Sequence, residues 1–160
     1  MTGGRLPVKG DDCMPVSIVA PCGLVCDLCR GFQRQKNRCP GCTAEGGKPT
    51  YCATCAVVRC PEKGGDPVKP CSACPKYPCR RLKALEKRYT TNYGESLLEN
   101  FRRIGEVGTD RFLLEADEAW RCPECGELLC AHRPKCPRCE APNVHYKRET
   151  PRSAGRGAQA

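Results

Sequence analysis

The chain has 160 residues, with 17 cysteines, 16 glycines and 15 prolines against three Phe and one Trp. That composition excludes a sizeable apolar core in the cysteine-rich part, and small modules of this kind need a disulfide or metal staple. The formal charge of +9, from 27 Lys and Arg against 18 Asp and Glu, counts every cysteine as neutral. Sixteen thiolates holding four zinc ions would bring it to about +1, so basicity alone is weak evidence for a nucleic-acid partner.

Residues 1–15 read as a flexible tail, in which Met14 offers an alternative start and Cys13 is not expected to be a ligand. The apolar run from Val16 to Ala20 reads as a short strand leading into Pro21-Cys22-Gly23. The stretch from Val16 to Val25 is too short, and too interrupted by Pro21 and Cys22, to be a secretory signal, so a cytoplasmic location is expected. No apolar run is long enough to span a membrane. Reduced thiols in that compartment, and the odd cysteine total, favour metal over a disulfide scaffold.

Residues 16–79 form the expected cysteine-rich metal-binding domain. It holds eleven cysteines: Cys22, Cys26 and Cys29, then Cys39 and Cys42, then two copies of Cys-x2-Cys-x4-Cys. The copies are Cys52, Cys55, Cys60 and Cys71, Cys74, Cys79. A two-residue gap lets both sulfurs of a pair face one ion from a tight turn. Frequent Gly and Pro, among them Pro40-Gly41, Gly46-Gly47 and Gly64-Gly65, exclude long regular elements and predict loops and single helical turns.

Eleven ligands do not divide into fours. One arrangement puts Cys26, Cys29, Cys39 and Cys42 on one ion and Cys52, Cys55, Cys71 and Cys74 on another. Cys22, Cys60 and Cys79 then remain as a three-ligand site with an open position. Other pairings are equally allowed, because sequence order does not fix connectivity. An open site is the mark of a catalytic zinc, but no Glu or His stands nearby as a general base, and no catalytic residue is assigned.

Residues 80–120 read as a helical segment of two or three short helices. Leu82, Leu85 and Tyr89 have helical spacing, with Pro78 suited to a first turn. Ser96-Leu97-Leu98-Glu99 has the form of a capping box, followed by Phe101 and Ile104 on the face of Leu97 and Leu98. Gly108 is a natural stop and Thr109 a natural cap for a last helix carrying Phe112, Leu113, Ala116, Ala119 and Trp120. Arg80, Arg81, Lys83, Lys87 and Arg88 run along the first helix, with Arg102 and Arg103 on the next. They are the candidate nucleic-acid contacts, against the plainer reading of a solvated face.

Residues 121–146 close the chain with a second metal module. Cys122 and Cys125, then Cys136 and Cys139, are two Cys-x2-Cys pairs ten residues apart, a zinc-ribbon spacing. Cys130 and His132 lie between them as spare or supporting residues, or with His132 in place of one thiolate. Trp120, just before Cys122, predicts that the ribbon docks on the helices. Residues 147–160 read as a disordered tail.

The cysteine order Ala20-Pro21-Cys22-Gly23-Leu24-Val25-Cys26-Asp27-Leu28-Cys29, Cys39-Pro40-Gly41-Cys42, Cys52-x2-Cys55-x4-Cys60 and Cys71-x2-Cys74-x2-Tyr77-Pro78-Cys79 resembles a prokaryotic cysteine-rich family, domain of unknown function number 3795. The helical stretch running into a Cys-Pro-x-Cys-Gly ribbon is similar to longer members, so the resemblance extends over residues 18–140. It implies no activity, because that family is defined by its pattern.

The fold expected is thus a small metal-stabilised cysteine-rich unit with little regular structure, followed by short helices and a zinc ribbon. The expected cofactor is zinc, several ions per chain, with an iron–sulfur cluster in residues 22–79 as the alternative. All-thiolate ligation suits either. The opening Cys22-x3-Cys26-x2-Cys29 also has the spacing of radical enzymes that use S-adenosylmethionine, but the α/β barrel such enzymes need has no counterpart here. The leading function is a metal-held interaction module with a protein partner. An electron-transfer or redox-sensing iron–sulfur protein is second, and a nucleic-acid-binding zinc protein third.

Overall fold

The computed structural model describes residues 16–148. The expected tail over 1–15, with Cys13 and Met14, and the last residues of the 147–160 tail from 149 onward lie outside the described residues. Most of the described chain is irregular. Four helices occur: α1 (Thr50–Ala53), α2 (Arg80–Asn92), α3 (Leu97–Val107) and α4 (Thr109–Ala119). Single 3-10 turns cover Cys26–Leu28, Pro61–Lys63 and Cys71–Ala73. Among the described residues no sheet forms; strand-like pairing is limited to isolated bridges at Val19–Val25, Arg121–Leu128 and Lys135–Pro142. The expected strand at Val16–Ala20 is therefore one bridge. The N–H groups of Ser17 and Ile18 go to the Asp27 carboxylate (3.0 and 3.1 Å), and that of Val16 to Asp117 (3.2 Å).

The helices start where local chemistry satisfies their free N–H groups. The Cys79 sulfur caps α2, accepting from the Leu82 N–H at 3.5 Å. Ser96 caps α3 through the Glu99 N–H at 3.1 Å. The other half of that capping box is replaced: Glu99 pairs with Arg102, and Glu86, reaching across from α2, accepts from the Leu97 and Leu98 N–H groups (2.7 and 3.1 Å) and from Ser96 (2.7 Å). This places a carboxylate at the positive end of α3 and ties two helices together. Thr109 is the first residue of α4 rather than its cap; Gly108, with φ of +83°, holds the cap position.

Two apolar clusters share the helices. One joins Leu82 and Tyr89 of α2 and Leu97 and Phe101 of α3 to Ala20, Leu24 and Cys26. The other joins Phe112 and Ala116 of α4 and Trp120 to Val16, Val25 and Leu28, and to Cys122, Leu129, Ala131 and Cys136 of the ribbon. The ribbon is thus docked through Trp120, as the sequence predicts, whereas Ala119 of the expected stripe is exposed. Stacking of His145 on Trp120 (4.0 Å between centroids) and its Nε2–H donation to the Ala119 carbonyl (2.9 Å) add to the junction. Among the described residues no helix is long and apolar enough to cross a membrane.

The chain closes on itself at Gly94. Lys147 and Arg148 donate backbone N–H groups to the Asn92 carbonyl, and Gly94, at φ of +64°, passes so close that an added Cβ would meet the His145 carbonyl oxygen at 2.1 Å. Gly94→Ala is expected to cost at least about 2 kcal/mol, from left-handed strain plus displaced backbone. Gly46→Ala, at φ of +67° with open space around it, should cost only the strain, about 1 kcal/mol. Chemical denaturation of the two variants side by side checks this, and equal losses would contradict it.

Candidate metal centres

The ribbon is built from two turns of one geometry. In the first, Cys122 donates its N–H to the Glu127 carbonyl (2.8 Å) and Gly126 donates to the Cys122 carbonyl (2.9 Å); in the second, Cys136 donates to Ala141 (2.8 Å) and Glu140 to Cys136 (3.2 Å). Each turn needs a left-handed residue at its fifth position, supplied by Gly126 at φ of +74° and Glu140 at φ of +62°. The turns face each other and bring Cys122, Cys125, Cys136 and Cys139 together, with all four sulfurs within 4.8 Å of one another. Cys122 meets Cys139, and Cys125 meets Cys136, at 3.6 Å each. This cluster could hold a metal ion. A tetrahedral site with metal–sulfur bonds of about 2.3 Å places its sulfurs roughly 3.8 Å apart, close to the spacing found.

The electrostatics of the cluster suit a cation. Burial opposes ionisation of Cys136, but N–H groups of Cys139 and Arg138 and the Cys125 thiol outweigh it and bring its pKa down to about 7. Cys139 is raised to about 12: the Ala141 N–H favours its thiolate, but burial and the Cys125, Cys122 and Cys136 sulfurs outweigh that. Cys136 is thus the sulfur closest to its thiolate form, while Cys125 and Cys139 resist a second negative charge.

Cys130 and His132 stand outside this cluster. Cys130 is fully buried, under Asn143, whose side-chain amide donates to the Cys130 and Arg133 carbonyls at 2.9 Å each. His132 uses both ring nitrogens elsewhere. Its Nδ1 accepts the Arg30 N–H (3.3 Å), so its proton sits on Nε2 and is donated to the Tyr89 oxygen (3.0 Å). Gln33 bridges the same junction by donating to the Asp27 and Leu129 carbonyls, and Ala131 donates to Leu28. His132 therefore fastens the ribbon to residues 28–33 and to α2. Asp27, Gln33, Asn143 and His145 escape sequence reasoning, because their partners are distant in the chain and carry no motif.

The eleven central cysteines fall in two neighbourhoods that adjoin where Cys71 approaches Cys22. Cys26 and Cys42 adjoin, the Cys42 N–H lying 3.5 Å from the Cys26 sulfur. A side-chain hydrogen bond with the Cys26 sulfur, then burial, drives the Cys42 thiol far above its usual range. Cys29 is raised by burial and by Cys42 and Cys39. Cys52 is pushed to about 11 by burial, then by Cys42, Cys29, Cys39 and Cys55. Cys22 reaches about 12 through burial, against an opposing Leu24 N–H, with Cys42, Cys55 and Cys71 adding to the rise. The second neighbourhood is Cys60, Cys71, Cys74 and Cys79, which line one cavity of about 500 Å³ beside the start of α2. Burial raises Cys71, Lys63 lowers it, and Cys79, Cys60 and Cys74 raise it again.

The five cations of α2, Arg80, Arg81, Lys83, Lys87 and Arg88, are exposed. Arg81 donates to the Ala56 carbonyl (3.2 Å) and Arg88 lies over the Tyr89 ring (5.7 Å). Arg102 and Arg103 of α3 are instead paired with Glu99, Glu106 and Glu115.

Two measurements test these assignments. Cys125→Ser should remove one metal ion per chain, whereas Cys130→Ala should keep it and lose only about 1 kcal/mol of core packing; the reverse pattern in metal analysis would contradict the ligand set. Burial, then the Arg88 and Arg30 charges, lowers His132 to about 4 from its ordinary 6.5. Between those values the unfolded chain binds a proton that the folded chain refuses, so stability falls as pH drops through that window. His132→Gln should flatten that part of the stability–pH curve, and an unchanged slope would exclude the role.

No curated protein and no solved structure matches the chain. The match found stops within α2, short of α3, α4 and the ribbon to which the sequence resemblance extends: residues 18–84 match the model of the family described as a protein of unknown function, DUF3795.

Proposed function

We propose that this protein is a metal-held interaction module, with one zinc in the ribbon and further metal in residues 22–79, and a protein as its partner. The observation that carries the reading is the convergence of four sulfurs within 4.8 Å, with opposed pairs at 3.6 Å. Four thiolates complete a tetrahedron, so no position remains for a substrate and the ribbon ion is structural. The central segment supports the same reading by what it lacks. Between residues 40 and 81 Val57 is the one buried apolar side chain. Structural zinc contributes on the order of 10 kcal/mol to small modules of this kind. Exposed Tyr51 of α1 and Val68 of the central loops, at 65% and 57%, offer apolar contacts to a partner.

A second reading, nucleic-acid binding, is favoured by the α2 cations, which pair with no carboxylate among the described residues. The neutralised arginines of α3 count against a broad basic face. Binding of that kind would be weak at physiological salt and fall steeply as salt rises.

Native mass spectrometry with elemental analysis tests the main reading. The protein as isolated should carry at least one zinc per chain, and strong chelation should remove it together with much of the circular-dichroism signal. A metal-free chain with an unchanged signal would overturn the reading.

A further inference from the structure

The cavity beside α2 differs from the ribbon in ways that identify its occupant. It is walled by Cys60, Cys71, Cys74 and Cys79, with Tyr77 and Leu82 as apolar lining. Each sulfur comes from a turn made rigid by proline: Pro61 follows Cys60, Pro70 precedes Cys71, Pro75 follows Cys74 and Pro78 precedes Cys79. These turns are short and self-closed, with Lys63 donating to the Cys60 carbonyl, Cys74 to Cys71 and Tyr77 to Cys74. The remaining seven central cysteines do not line the cavity.

These four cysteines line one cavity, and no three of their sulfurs close to within 4.8 Å of one another. Among the described residues the ribbon is the one group whose sulfurs close to within 4.8 Å. A single tetrahedral ion draws its ligands to roughly 3.8 Å and leaves no void. A four-iron cluster binds each thiolate through a different iron, so its sulfurs stand further apart with the inorganic core between them.

Charge points the same way. Lys63 lines the cavity and is 7% exposed, yet its ammonium donates only to the Lys69 carbonyl (2.5 Å) and pairs with no carboxylate among the described residues. Glu62, the nearest acid in the lining, is taken by Lys76 at 2.6 Å. A buried ammonium without a counter-ion is costly. Four thiolates around a cluster carry net negative charge and supply that counter-ion. The Leu82 N–H at the Cys79 sulfur (3.5 Å) and the start of α2 favour the same charge.

We infer that Cys60, Cys71, Cys74 and Cys79 form a self-contained site that holds one iron–sulfur cluster, separate from the ribbon ion. This rests on the reading of the thiols as metal ligands and divides them into four at this cavity and seven outside it. The Cys-x2-Cys-x4-Cys copy at Cys71 is completed by the last cysteine of the preceding copy, so the sequence repeat is not the unit of binding.

The test uses the full chain, prepared without oxygen and reconstituted with ferrous iron and sulfide. Wild type should turn brown and bind about four irons and four sulfides per chain. Cys71→Ser and Cys60→Ser should each lose most of the iron and the visible absorption while keeping the ribbon zinc, which also reports that the chain remains folded. Cys125→Ser should do the opposite. Lys63→Met, which removes the buried charge but no ligand, should weaken cluster retention during desalting several-fold.

Three outcomes overturn the assignment: zinc in place of iron at this site, lost in Cys71→Ser; iron lost in Cys26→Ser but kept in Cys60→Ser and Cys71→Ser; or iron and ribbon zinc lost together in Cys60→Ser and Cys71→Ser. Each leaves the broader reading of a metal-held module standing. A wild-type chain that binds neither iron nor zinc defeats both.

Discussion

From Cys39 to Arg81 the chain runs for more than forty residues with Val57 as its one buried apolar side chain apart from Cys39. Ordering a residue costs on the order of 1 kcal/mol or more in backbone entropy, and burial of one valine offsets about 2 kcal/mol of that. Hydrogen bonds within the turns do not close the gap, because most exchange protein partners for water at little net gain. On the proposed reading the ordering comes from metal bonds at the turns, which is where the cysteines stand. The chain divides accordingly into a part rich in cysteine and a part held by apolar contact.

The apolar part is compact and overlaps the sulfur part at its edges. Leu24, Val25 and Leu28 sit between the first cysteines and pack against the helices, while Cys122 and Cys136 belong to the α4 cluster as well as to the ribbon site. The ribbon cysteines, Trp120 and α4 therefore form one mechanical unit. His132 and Gln33 couple it to residues 27–33, next to the first central thiols. The ribbon and the first central thiols are thus joined by packed, hydrogen-bonded contacts. The loops from Cys39 onward, lacking such packing, are the least stable part of the metal-free molecule.

What the sequence made legible was local. Cys-x2-Cys spacing is a property of one turn, so the two ribbon knuckles could be read directly, as could the Ser96 cap and the apolar stripe ending at Trp120. Long-range placement was not legible. Nothing in the sequence tells that Glu86 from the previous helix displaces Glu99 in capping α3, or that His132 is spent on Tyr89 and Arg30 instead of a metal. The grouping of the eleven central cysteines is the clearest case. Cys60 reads as the end of its own repeat, yet it lines one cavity with Cys71, Cys74 and Cys79, together with a buried Lys63 that no motif announces.

On the proposed reading metal–thiolate bonds, not apolar burial, order residues 39–79. Amide hydrogen exchange on the full chain, compared with and without bound metal, tests it most directly. Removal of metal should abolish protection between Cys39 and Cys79 while α3 and α4, with Leu97, Phe101, Phe112 and Ala116 still buried, retain a large share of theirs. Protection from Cys39 to Cys79 that survives complete metal removal would contradict the account.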